Sequence, residues 1–118
     1  MNGEKVNGMK LVSVGAASFL TGTDIADALM RYAKELWARR RVDLVEIPVL
    51  SENGHAQQAQ FLVGWANPVS TVSVHTQHEE LRDQGVVDDL DSRGRVPSAV
   101  VSQVVDDAEI GYFDFDEL

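Results

Sequence analysis

The chain contains no cysteine. That excludes a disulfide framework, a thiol nucleophile and any Cys-ligated zinc or iron–sulfur site, so packing must hold the fold together. Long apolar runs are also missing. Ser, Gly, Asn or a charged residue interrupts every hydrophobic stretch well before the roughly 18 to 20 residues that a membrane-spanning helix needs. Lys5 and Lys10 precede the weakly apolar Leu11 to Leu20, which crudely imitates a secretory leader. Ser13, Gly15 and Ser18 break that run, and no small-x-small cleavage site precedes a plausible mature start. The expectation is a cytoplasmic protein with no membrane contact.

Basic charge is scarce: 10 Lys and Arg stand against 19 Asp and Glu, a net charge of −9. The deficit is confined to one end. Residues 1–78 carry seven acids and seven bases, whereas residues 79–118 carry the other twelve acids and only Arg82, Arg93 and Arg95, so 3 minus 12 accounts for all of it. Such a segment repels phosphate backbones, and nucleic acid is not an expected partner.

Catalytic signatures are equally thin. There is no Gly-x-Ser-x-Gly, no Gly-rich phosphate loop with Lys and Ser or Thr, and none of the three His stands beside an identifiable Ser and acid. His75, His78 and Glu79 could converge on a metal only if their segment were helical, and no further ligand is specified. Solvated strand-end histidines fit better. Asp88, Asp89 and Asp91 lack the Gly and distal Glu of a calcium loop, and fit a solvated charge run. No catalytic residue, metal ligand or cofactor is assigned, and an enzyme is the less favoured reading.

At 118 residues, 44% hydrophobic and 25% charged, the chain is expected to form one core. Lys10 to Val14 and Ala17 to Leu20 flank Gly15 and Ala16, which suit a type II′ hairpin placing Val12 opposite Phe19 and Val14 opposite Ala17. From about Thr23 to Arg40, Ile25, Ala28, Leu29, Tyr32, Leu36 and Trp37 recur at helical spacing. Thr23 or Asp24 can cap this helix, and Arg39, Arg40 and Arg41 complement the dipole at its end. Val42 to Leu50, Gln60 to Ala66 and Val69 to His75 alternate as strands, with turn residues around Asn53 and Gly54.

The pattern β-β-α-β-β-β implies an α+β fold. A mostly antiparallel sheet would carry one amphipathic helix on one face, with Trp37 and Tyr32 meeting Phe61, Val63 and Trp65. A β-grasp arrangement, with the first and last strands side by side at the centre, is one topology that fits. The expected organisation is a flexible N-terminus over 1–9, a domain over 10–78, and a partly disordered acidic extension over 79–118. Within that extension, Glu79 to Arg95 has only four large apolar residues and suggests a linker. The valine-rich run in 98–110 suits a short helix or strand.

Tyr112, Phe113, Asp114, Phe115, Asp116 and Glu117 alternate aromatic and acidic groups before Leu118. An exposed peptide of this kind can insert a ring into a groove while its carboxylates meet Arg or Lys. In composition it resembles the acidic aromatic tails of some single-stranded DNA-binding proteins, a resemblance of seven residues from which no function is carried over. The functional expectation is a non-enzymatic interaction module whose acidic arm recognises a basic protein surface. That surface would be a partner's or the chain's own helix, with Arg31, Lys34, Arg39, Arg40 and Arg41. The alternative is a small ligand-binding or catalytic domain with its site between helix and sheet. The uncharged Val69 to His75 also admits a homodimer through an edge strand.

Overall fold

A computed structural model describes residues 7–95 of the chain. Strands β1 (Asn7–Val14) and β2 (Ala17–Gly22) lead into helix α1 (Thr23–Arg39). Strands β3 (Val42–Leu50), β4 (Ala56–Gly64) and β5 (Val69–Thr76) follow, and helix α2 (Gln84–Gly94) comes last. The five strands form one antiparallel sheet in the order β4-β3-β2-β1-β5. The first and last strands are therefore neighbours, but they run antiparallel, and β5 occupies an edge rather than the centre.

The first hairpin has the register that its sequence implies, with Val12 opposite Phe19 and Val14 opposite Ala17. Gly15 has a φ of 58°, the positive value demanded at the first position of a type II′ turn. Alternation then assigns the two sides of the sheet. Val12, Val14, Val45, Ile47, Val49, Ala59 and Val63 pack beneath α1, which buries Ile25, Ala28, Leu29, Tyr32 and Leu36 against them. Phe19 and Phe61 border this core and stack with ring centroids 5.1 Å apart. Each large aliphatic side chain so buried contributes about 1.5 to 3 kcal/mol.

Three expectations need correction. Neither Thr23 nor Asp24 caps α1: the N-cap is Gly22, with no side-chain bond. Glu80 instead accepts from the Thr23 amide at 3.1 Å, from 57 residues away in sequence. Gly22 is required there, because a Cβ would lie 1.8 Å from the carbonyl oxygen of Leu81 as the chain crosses the β2–α1 junction.

The second correction concerns residues 79–95. Gln84–Gly94 form a helix where a linker was expected, so a domain boundary at residue 78 falls inside the folded region. Few apolar residues suffice because they are placed on one stripe: Val87 is 8% and Leu90 2% exposed, with Leu81 and Val86 packed alongside. Asp83 caps the helix by accepting from the Val86 amide at 3.2 Å. The third correction concerns Asp88, Asp89 and Asp91. They are engaged by Gln84, Arg93 and Arg31 respectively, not merely solvated. The 98–110 run lies outside the described residues.

Candidate interaction surfaces

Three surfaces of the fold carry chemistry. The first is the junction between α2, α1 and β3. Tyr32 on α1 donates its hydroxyl hydrogen to Asp43 at the start of β3, and Arg93 on α2 donates to the same carboxylate at 2.9 Å. Burial pushes the Tyr32 phenol up to about 12, and the neighbouring carboxylate adds to that. Burial alone would raise Asp43 too, but hydrogen bonds from Tyr32, Arg93 and the Leu44 amide outweigh it and hold its pKa below the ordinary value. Arg93 also donates to the Leu44 carbonyl at 3.3 Å. Nearby, Arg31 grips Asp91 with two hydrogen bonds, at 3.0 and 3.1 Å, which lower the Asp91 pKa. A cleft of about 400 Å³ remains between the helices, lined by residues that include Arg31, Tyr32, Lys34, Asp91 and Arg95.

The second surface is the side of the sheet turned away from α1. By alternation it displays Leu11, Leu20, Leu50, Val72 and Val74, with Leu44 and Leu62 toward the far end of the β3–β4 hairpin. Leu44, Leu62 and Val72 are 50%, 54% and 59% exposed. In β2 to β5, Glu46 is the one charged residue that alternation places on this side, and it is hydrogen-bonded by Gln60. On the same side Met9 and Pro48 are buried and Leu11, Leu20, Leu50 and Val74 half-buried, so the open aliphatic surface is limited to Leu44, Leu62 and Val72.

The third surface lies where α1 ends. Arg40 terminates the helix in the left-handed conformation, with φ 54°, and its amide bonds the carbonyls of Leu36 and Trp37. The Trp65 amide in turn bonds the Arg41 carbonyl at 2.9 Å, which brings the end of β4 to the end of α1. Trp37 and Trp65 consequently meet edge to face, ring centroids 5.1 Å apart, and the Arg40 guanidinium lies 5.0 Å from the Trp65 ring. Both indoles remain open to solvent, at 38% and 40% exposure.

The basic residues anticipated on α1 are thus divided by the structure. Arg31 is committed to Asp91, and Arg39 reaches Glu35 at 3.6 Å and the Gly94 carbonyl at 3.4 Å. Arg40 covers Trp65, while Lys34 and Arg41 are exposed and make no ion pair among the described residues. Tyr112, Phe113, Asp114, Phe115, Asp116 and Glu117 lie outside the described residues. His75 is the penultimate residue of β5, and the residues after Thr76 form a bend, so the helical geometry that could bring His75 and His78 together on a metal is absent. Among the described residues, no group of three or more His, Asp or Glu could hold a metal ion, and no helix is long and apolar enough to cross a membrane.

The Tyr32–Asp43–Arg93 cluster was not anticipated from sequence. Its one local signal is the pattern in which Asp83 precedes Val86, Val87 and Leu90 with Arg93 following, a capped helix with one apolar stripe. No protein-family model, no curated protein and no solved structure matches this chain.

Proposed function

We propose that the protein is a cytoplasmic, non-enzymatic interaction module whose acidic C-terminal arm recognises a basic protein surface. The observation that carries this reading is where the negative charge is left uncompensated. Residues 79–95 hold six of the twelve acids of 79–118 together with all three arginines, and the fold pairs several of these groups. Residues 96–118 hold the other six acids, 12 minus 6, and no base at all. The arm proper is therefore 96–118, which brings Tyr112, Phe113 and Phe115 among Asp114, Asp116 and Glu117. Clustered carboxylates steer such a peptide to a positive surface, and the rings supply the short-range contact.

The test compares proteins captured by the intact chain with those captured by a full-length variant in which Phe113 and Phe115 are Ala and Asp114 and Asp116 are Asn. A basic partner captured by the first, released by salt and missed by the second is the expected result. Identical capture by both would refute the reading. A second reading, a small ligand-binding or catalytic domain with its site between helix and sheet, has weaker support: the cleft of about 400 Å³ lies between α1 and α2, and its lining mixes Arg31, Lys34 and Arg95 with Glu35 and Asp91, the latter already holding Arg31. A homodimer through β5 is compatible with either, since β5 is an edge strand with no charged residue other than a titratable His75.

A further inference from the structure

The exposed tryptophan pair is the least expected feature of the surface. Two indoles left about two-fifths open at the end of a helix, one beneath a guanidinium, have the composition of a binding hot spot. The patch is also positively charged: Arg39, Arg40 and Arg41 are consecutive there, and with Arg39 engaged by Glu35 at 3.6 Å, Arg40 and Arg41 have no acidic contact among the described residues. A complementary ligand would carry aromatic rings and about three negative charges in a short extended stretch.

That ligand is encoded in the same chain. Tyr112, Phe113 and Phe115 supply three rings, and Asp114, Asp116 and Glu117 supply carboxylates for Arg40 and Arg41. The root of the arm lies toward the C-terminal end of α1, where the Arg39 guanidinium donates to the carbonyl of Gly94, one residue before the described chain ends at Arg95. Sixteen residues, 96–111, separate that root from Tyr112. Seventeen residue steps span up to roughly 55 to 60 Å when extended, so the connection is not limiting. Tethering at this length gives an effective concentration on the order of millimolar, enough to populate contacts too weak to survive between separate molecules.

We propose that residues 112–118 dock in cis on the Trp37–Trp65 patch, with aromatic rings against the indoles and carboxylates on Arg40 and Arg41. The docked arm is self-masked, and a basic partner competes it away. This inference rests on the arm being the recognition element, and it adds the identity of the surface that holds the arm when no partner is present. Each exposed ion pair contributes only about 0 to 1 kcal/mol and is screened beyond about 10 Å at 0.1 M salt, so docking requires the rings and several charges together.

The chain's only two tryptophans are both in the patch, so intrinsic fluorescence reports on it alone. Acrylamide, a neutral quencher, is applied to the full-length chain and to full-length variants, with no partner present. Replacing Phe113 and Phe115 by Ala is expected to raise the quenching constant about twofold, as when a docked aromatic had covered half of the open ring area. Arg41→Glu, which leaves the arm intact, is expected to do the same, as is high salt. The wild-type value should not depend on protein concentration. Equal quenching in the wild-type chain and both variants overturns self-docking. Protection that appears only as concentration rises also overturns it, in favour of docking between copies. Equal quenching combined with loss of partner capture in the arm variant would sink self-docking while leaving the proposed function standing; loss of neither would sink both.

Discussion

Leu90 is the residue through which α2 is judged to belong to the fold, and truncating it is a direct perturbation. It is 2% exposed and joins the core cluster with Val87, although its helix lies at the edge of the structure. Leu→Ala in a core costs about 2 to 5 kcal/mol, and a peripheral helix that can settle inward belongs at the lower end, about 2 to 3 kcal/mol. For a domain of this size each kcal/mol shifts Tm by about 4 to 8 °C, so Leu90→Ala should lower it by about 8 to 24 °C. The assay is thermal unfolding of the full-length chain followed by far-UV circular dichroism. Asp88→Ala is the matched control, since Asp88 is exposed on the same helix and contacts Gln84 one turn earlier; it should change stability by less than about 0.5 kcal/mol. If Leu90→Ala unfolded within the error of Asp88→Ala, α2 would contribute nothing to the cooperative unit, and the folded region would end before it.

The junction of α2 with α1 and β3 should give stability a pH profile with two edges, measured as denaturant midpoint against pH. Asp43 and Asp91 have folded pKa values below ordinary, so their contribution is complete above about pH 4 and is lost as pH falls through the lowered values; Asp43→Asn should flatten that acid limb. The Tyr32 phenol is raised to about 12, so its contribution is complete below about pH 10 and is lost as pH rises toward 12; Tyr32→Phe should remove the alkaline step. Gly22→Ala should destabilise by at least about 2 kcal/mol in chemical denaturation, because the new Cβ meets the Leu81 carbonyl oxygen at 1.8 Å; a neutral result would mean that the crossing segment is not held there. If β5 is an adhesive edge, sedimentation of the wild-type chain should show concentration-dependent dimers that Thr71→Lys abolishes, whereas a strict monomer at high concentration would count against it.

Local chemistry was legible where it decided the outcome. The 3.6-residue stripe from Ile25 to Leu36, the Val42–Leu50 strand and the first hairpin's register follow from periodicity and from a glycine at a turn, and the structure has them. The start of β4 was less legible, because Ala56, Gln57 and Gln58 carry no apolar alternation; backbone pairing with Leu50, Val49 and Pro48 makes them strand regardless. Long-range polar partnerships were not legible. Glu80 accepting from the Thr23 amide and Arg93 joining Asp43 to Tyr32 are made between residues roughly 50 or more positions apart. Composition also misleads for α2, since its acids suggested solvation while its four apolar neighbours, correctly spaced, were enough to dock it. Trp37 and Trp65 were expected to meet, and they do; their remaining exposure depends on the tight ending of α1 at Arg40, which no sequence pattern here announces.

The central claim, that the arm is the recognition element, is tested most directly by a photo-reactive phenylalanine analogue placed at position 113 of the full-length chain. Irradiated alone, the chain should yield an intramolecular cross-link to the Trp37–Val42 or Trp65 region. Irradiated in cell extract, it should yield instead a salt-sensitive adduct to a partner with a basic surface, and the same analogue at the exposed Glu52 should yield neither. The contradicting result is an adduct pattern at position 113 indistinguishable from that at position 52.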